Sequence, residues 1–276
     1  MLKISLILVA YQAEEYLNSC LAPFLELKHG IRDEWNNPIK EPAENLDIKI
    51  CAVSALFKEY AELFNLKYDN DKTSNILRSY EESGAIEKYI EIKDKNVLDY
   101  ESRVAAWDYL KQFNPDILWE LDSDEMISSK EILNTVNFIN NNKEVDFYRI
   151  NFKNYLGHIE WKKYVDDFTP VRIIRNDKHD GINSFYFDND VEFNDKTRTP
   201  HCAGLTIPKN LCFPRHYSWC HNTTEKSMIR IVNKIQYQNK ALGAGNCSYI
   251  WDRGLKFNLE YYSKYNKTVP EIFYDI

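Results

Sequence analysis

"DILWELDSDEM", residues 116–126, runs an apolar stretch straight into a knot of acid. Ile117, Leu118, Trp119 and Leu121 read as a strand entering a core, whereas Glu120, Asp122, Asp124 and Glu125 crowd its far end. Ligands of open parallel sheets bind beyond the carboxyl ends of the strands, so this is where a site is expected. Two carboxylates two residues apart at a strand end can project to one side, and at about 4 Å they repel by about 4 kcal/mol at an effective dielectric near ~20. Three things can offset that repulsion: a raised pKa on one acid, a paired arginine, or a divalent metal. The D-x-D spacing of hard oxygen ligands suits Mg²⁺ or Mn²⁺, which take a few carboxylates and leave room for water and phosphate. The alternative reading of "DSDE" is a solvated acidic turn capping the next helix.

Working outward, residues 2–10 form a continuous apolar, β-branched run, the pattern of a strand covered on both faces. A helical pattern follows with Tyr16, Leu17, Cys20, Leu21 and Phe24 on one face, and Pro23 is expected to bend or end it. Residues 28–47 are polar with two prolines and read as a long loop. "IKICAVS" (48–54) predicts a second strand and "ALFKEYAELF" a short helix after it, then "DKTSNILRSYEESG" a helix stopped at Gly84, and "IEKYIEI" a third strand. "NVLDYESRVAAWDYLKQF" is amphipathic, with Val104, Trp107, Leu110 and Phe113 on one stripe, and leads into the opening stretch. The β-α alternation over the first 120 residues predicts an α/β fold with a mostly parallel central sheet flanked by helices.

After residue 128 a helix is expected, capped by Ser128 or Ser129 with Glu131 in its first turn. The pattern then changes to antiparallel strands in "VDFYRINFKNYLG", "TPVRIIRN" and "NSFYFDNDVEF". A helix capped by Thr223 or Thr224 and stopped at Gly243 opens a C-terminal helical extension over 223–276.

The composition is that of a globular chain, 276 residues with 44% hydrophobic and 28% charged, and the formal charge of −7 argues against a general nucleic-acid binder. No apolar run approaches the ~20 residues of a transmembrane helix, and the apolar N-terminus runs into Glu14 and Glu15 as a core strand rather than a signal, so a cytoplasmic location is expected. Six scattered cysteines form no CxxC pair. His201, Cys202, Cys212, His216, Cys220 and His221 cluster without matching a common zinc spacing, and buried thiols are the simpler reading.

Four segments resemble the GT-A fold (Rossmann-like) nucleotide-sugar glycosyltransferases, the family-2 group in particular: "ISLILVAYQAEEYL", "ESRVAAWDYLKQFNPDILWELDSDE", "VRIIRN" with its terminal arginine, and "PRHYSWCHN". The likeness spans residues 2 to 220. It implies a glycosyltransferase domain over 1–222, with a nucleotide-sugar half (1–127) and a smaller antiparallel acceptor half (128–222). The implied reaction is metal-dependent and inverting, from a nucleotide-diphosphate sugar to a glycan, lipid-linked or protein acceptor. By this resemblance Ala10 and Tyr11 line the nucleobase pocket, Tyr11 by stacking, and Ser54 stands near the base or ribose. Arg103 approaches the donor diphosphate or the first aspartate, with a surface ion pair to Asp99 or Glu101 as the alternative. Asp122 and Ser123 face the donor, Asp122 facing ribose or metal, while Asp124 and His216 bind Mn²⁺ or Mg²⁺. In an inverting transfer a carboxylate takes the acceptor proton. Glu192 and Asp190, which alternate with Asp188 in "FDNDVEF", are the candidates.

Two features depart from the family. The second strand reads "ICAVSALFK" where paired aspartates are common, and Gln12 replaces an asparagine. A nucleotidyltransferase on a related sheet would carry a Gly-rich loop after the first strand, and "VAYQAEE" has no glycine. A carbohydrate-binding domain without catalysis is the third reading.

Overall fold

The computed structural model describes residues 1–58, 61–62, 65–158, 161–176 and 204–221, and the side chains of 156–158, 161–168 and 218–221 lie outside that description. Its centre is a seven-stranded sheet. β1 (Leu2–Val9) lies between β4 (Leu46–Phe57) and β6 (Ile117–Asp122), with β5 (Lys88–Val97) outside β4. These four strands are parallel. On the other flank β11 (Val171–Arg175) is antiparallel to β6, followed by β8 (Phe147–Arg149) and β12 (Leu205–Thr206). The chain therefore builds outward from β1 through β4 and β5, then crosses back to place β6 on the opposite side. The reversal leaves a crevice at the carboxyl ends of β1 and β6. The register puts Val9 opposite Asp122, so the acidic end of β6 opens into that crevice.

Residues alternate between two cores, as the period of a strand requires. Ile4, Leu6 and Leu8 of β1 and Trp119 and Leu121 of β6 pack on one face. They are covered by α1 (Leu17–His29) through Leu17, Leu21 and Phe24, and by α4 (Ser129–Asn140) through Ile132, Val136 and Ile139. Phe24 meets Trp119 edge-on, centroids 5.5 Å apart. Ile7, Val9, Cys51, Val53 and Leu118 point the other way, onto Ala106, Trp107 and Leu110 of α3 (Asp99–Leu110). Each such side chain taken wholly from water contributes about 2 kcal/mol. This two-sided burial is why the strands read as unbroken apolar runs. The expected mixed α/β architecture, a mostly parallel sheet between helices, is the one found.

Several local expectations need correction. Pro23 neither ends nor breaks α1, which continues to His29. Its missing N–H leaves the carbonyl of Ser19 without a helical partner, and Ser19 is exposed, so water can take that place. Within the expected loop 28–47 a small hairpin forms from β2 (Ile31–Arg32) and β3 (Pro38–Lys40). Asp33 organises its turn, its Oδ1 accepting from the N–H groups of Trp35 and Asn37 at 2.9 and 2.8 Å. β4 runs on to Phe57, so no helix begins at Ala55. Pairing with β5 there outweighs helix propensity.

The helix α2 (Thr73–Glu82) stops at Gly84, whose φ of +73° few other residues adopt without strain. Ser128 caps α4 as expected: its Oγ accepts from the Glu131 N–H, and Glu131 accepts from the Ser128 N–H at 2.9 Å.

A second, four-stranded sheet stands over the crevice. Its order is β10 (Trp161–Phe168), β9 (Phe152–His158), β13 (Arg215–His221) and β7 (Glu125–Met126). β13 pairs antiparallel with β7, His216 opposite Glu125, and parallel with β9, His216 opposite Asn154. The "RHYSW" segment is thereby carried to the acidic end of β6. The strand expected in 183–193 and the helix and extension expected from 223 onward lie outside the described residues.

Candidate functional site

Five charged side chains lie buried at the carboxyl end of β6: Arg103, Glu120, Asp122, Glu125 and Arg172. α3 brings Arg103 beneath the strand, with Glu101 accepting from the Leu98 N–H at 2.7 Å to fix the helix start. Arg103 Nη2 donates to Asp122 Oδ1 at 2.9 Å, and its guanidinium also lies 3.5 Å from Glu120 and from Asp99. From the other side Arg172 Nη2 donates to Asp122 Oδ2 at 3.1 Å, while Arg172 Nε reaches both oxygens of Glu125 at 3.2 and 3.1 Å. Both carboxylate oxygens of Asp122 thus rest on guanidinium groups. Of the three expected ways to offset the acidic repulsion, paired arginine is used twice.

A raised pKa is used as well. Burial pushes the Glu125 carboxyl up to about 7, a rise opposed by Arg172 and reinforced by Asp122. Burial by itself would lower Arg172, but Glu125 and Asp122 outweigh it and hold the guanidinium above its ordinary value. Beneath them the Cys20 thiol, pushed well up by burial and by Glu125, stays a neutral donor to the Asp122 carbonyl at 3.7 Å.

Asp124 stands beyond this buried set. Its Oδ1 lies 3.6 Å from His216 Nε2, and its carbonyl accepts from the Tyr217 N–H at 2.9 Å. His216 Nδ1 is 2.5 Å from Asn154 Oδ1, an amide oxygen that accepts and so assigns the ring proton to Nδ1. Nε2 then faces the Asp124 carboxylate, and in the neutral ring its lone pair and the carboxylate together suit a cation between them. An imidazole whose far nitrogen is held by an amide is the usual support of a metal-ligating histidine. Among the described residues no three or more His, Cys, Asp or Glu side chains converge as a complete cage. Two donors with room for water and phosphate oxygens fit what Mg²⁺ and Mn²⁺ accept.

On the donor side, Ala10 is buried, its N–H donating to the Val53 carbonyl at 2.9 Å and its own carbonyl accepting from Ser54 Oγ. Ser54 and Ala10 are brought together, with the serine hydroxyl tying β1 to β4. The Ser123 N–H donates to the Val9 carbonyl at 2.9 Å. Tyr11 is half-buried, with its hydroxyl accepting from the Asp69 N–H at 3.2 Å and its ring 5.6 Å from Tyr68. Gln12, at φ +50°, bonds through its N–H to Asn70 Oδ1 at 2.8 Å. The turn after β1 is therefore clasped by residues 69–70, a partner that strand patterning gave no reason to expect.

Arg103 meets Asp122 and Asp99, two of the four partners weighed for it, as a buried rather than a surface group, while Glu101 turns instead to the Leu98 N–H. Arg172 and Asn154 were not singled out from sequence, and Glu125 was noted only as part of the acidic cluster. The resemblance drew attention to the terminal Arg175, but β11 runs antiparallel to β6 and places Arg175 opposite Ile117, at the far end of the strand. An antiparallel reading of "VRIIR" would have pointed to its first arginine instead. Asp188, Asp190 and Glu192 lie outside the described residues, as do His201, Cys202 and the side chains of Ser218 to His221. Cys212 is a buried thiol pushed up to about 12 by burial.

No protein-family model and no curated protein matches the chain. Among solved structures, S. aureus TarS 1–349 is similar over 94% of this chain and 80% of its own, at 12% identity and a TM-score of 0.45. Its complex with UDP is similar over 85% and 65%, at 13% identity and TM-score 0.40. In the complex with UDP-GlcNAc the overlap is 55% of this chain and 35% of that one, at 17% identity and TM-score 0.37. At such identities and scores these likenesses carry no argument about activity.

Proposed function

We propose that the protein is a metal-dependent glycosyltransferase that moves a sugar from a nucleotide-diphosphate donor to an acceptor hydroxyl with inversion. The observation that carries this reading is the approach of Asp124 Oδ1 to His216 Nε2, 3.6 Å, at the crevice where the strand order reverses. The resemblance of residues 2–220 to GT-A enzymes supports it independently. A donor half over 1–127 and an acceptor half over 128–222 belong to the same reading.

Asp124 and His216 would hold Mn²⁺ or Mg²⁺, which when bound neutralises charge on the diphosphate. Asn154 keeps Nε2 of His216 presented. Arg103 and Arg172, fixed on Asp122, offset the buried carboxylates beneath the crevice, so that the acidic strand end repels a leaving diphosphate less. Ala10 and Tyr11 border the nucleobase, with Ser54 and Ser123 behind them. As the acceptor oxygen bonds to the anomeric carbon, the bond from that carbon to the phosphate oxygen breaks, and Asp190 or Glu192 takes the hydroxyl proton. Asp122 acts as the charged floor that holds both arginines, a role distinct from the metal ligand implied by the motif.

Thermal unfolding with UDP, with and without Mn²⁺, and hydrolysis of a nucleotide-sugar panel test the proposal. Saturating ligand at a hundred times its Kd stabilises by about 2.7 kcal/mol. Asp124→Asn should abolish the Mn²⁺-dependent part of that stabilisation. An undiminished shift in the variant refutes the assignment.

A further inference from the structure

Among the described residues four large apolar side chains stand exposed, and three of them, Ile31, Trp35 and Ile39, fall on the hairpin of β2 and β3. Trp35 is 66% exposed and Ile39 67%, and every residue from 31 to 41 is exposed. Single apolar side chains are ordinary on a surface, but three gathered on one projection mark an interaction site. Among the described residues β2 and β3 pair only with each other, and none of their side chains enters either core.

The hairpin is nevertheless held in one conformation. At its base Gly30, at φ +75°, lies so close to the Lys40 carbonyl that any side chain there would collide with it. Lys40 is ion-paired with Glu26 of α1, and the Ala43 N–H donates to the Leu27 carbonyl at 2.8 Å. At its tip the Asp33 carboxylate takes the Asn37 side-chain amide at 3.0 Å as well as the two backbone N–H groups of the turn. A projection fixed at both ends loses little freedom when a partner covers it.

Charge selects the partner. Among the described residues Arg32 has no carboxylate partner, donating instead to the Asn36 carbonyl at 3.2 Å, and Glu34, Glu41 and nearby Glu44 have no cationic one. Unpaired charge of both signs therefore flanks the apolar side chains. An anionic bilayer would meet three acids for one arginine. A second copy of the hairpin, turned about a two-fold axis, offers apolar side chains to apolar side chains and an arginine to each set of acids.

We propose that the protein self-associates through this hairpin as a two-fold dimer, Trp35 and Ile39 of each copy packing against those of the other, and each Arg32 meeting Glu34 or Glu41 of the other. Strands of two and three residues, the second opening on Pro38, offer too little edge for a shared ladder, so side chains make the contact. The hairpin supplies fewer residues than the roughly 20–30 a side of a standard interface, which puts the dissociation constant in the micromolar range or above. It leads into the amino end of β4 at Leu46, whereas the crevice lies at the carboxyl ends of the strands, so pairing leaves the crevice of each copy uncovered. The dimer requires nothing of the glycosyltransferase reading.

Sedimentation velocity of the full chain, from about 1 µM to about 300 µM, spans the expected range. The wild type should pass from monomer toward dimer as concentration rises, and Trp35→Ser/Ile39→Ser should weaken association about tenfold or more. Circular dichroism and Tm of that variant should match the wild type, since both side chains are exposed. Arg32→Glu and Glu34→Lys/Glu41→Lys should each abolish self-association by setting like charges face to face, and an equimolar mixture of the two should restore it. A wild type that stays monomeric throughout, a Trp35→Ser/Ile39→Ser variant that associates as tightly as the wild type, or a charge-swapped mixture that stays monomeric overturns the proposal. A monomeric wild type that pellets with phosphatidylcholine vesicles overturns it in favour of a lipid surface.

Discussion

Glu125→Gln isolates one buried proton. The wild-type carboxyl is fully enclosed and held at about 7, against the ordinary 4.5, first by burial and then by Asp122, with Arg172 pulling the other way. Between those two values the folded protein keeps a proton that the unfolded chain has released, so stability falls as pH rises through the window. The interval corresponds to about 3 kcal/mol, present in full below pH 4.5 and lost above pH 7. Glutamine has nearly the same shape, can still accept from the Asp122 N–H that Glu125 Oε2 meets at 3.2 Å, and does not titrate.

Urea unfolding at equilibrium, repeated at half-unit steps from pH 4.5 to pH 8, gives each protein's stability profile. Groups distant from Glu125 titrate alike in both, so the difference between the profiles reports Glu125 together with the carboxylates coupled to it. The wild type should lose about 3 kcal/mol more than the variant across the range. Parallel profiles would refute the view that this carboxyl is protonated in the folded protein near neutrality.

Other perturbations probe the same architecture. Arg103→Met leaves Asp122 and Glu120 buried beside an apolar chain and should lower stability by about 3–5 kcal/mol, read from the urea midpoint. Asn154→Ala releases His216 Nδ1 and should weaken Mn²⁺ affinity about 10–100-fold by titration calorimetry, with the fold intact by circular dichroism. Ser128→Ala removes the cap of α4 and should lower stability by about 1 kcal/mol without altering Mn²⁺ binding.

What could be read from the sequence divides along physical lines. β1, β4 and β6 were legible because strands buried on both faces leave long apolar runs, β5 because its apolar residues alternate with polar ones, and α3 and α4 because their apolar or capping residues recur at helical spacing. β7, β12 and the hairpin strands are two or three residues long, too short for any periodicity. The extension of β4 to Phe57 was hidden because strand pairing there overrides a helix-like local pattern. At the site, Asp122, Asp124, Arg103 and His216 stood out through spacing and resemblance, and the fold brings them to one crevice. Arg172 and Asn154 did not, since their importance depends on strand direction and register, which local residue patterns do not encode.

The insertion of β13 between β9 and β7 has a consequence for biosynthesis. Asp124 leaves the ribosome long before His216, and the strand bearing that imidazole can be seated only after β9 has formed a slot for it. The first half of the nascent chain can bury its arginines and acids while the cation-holding pair is still incomplete. Competence for catalysis would then arrive as a late docking event, and a chain ending shortly before residue 215 would retain the charged floor yet lack the clamp.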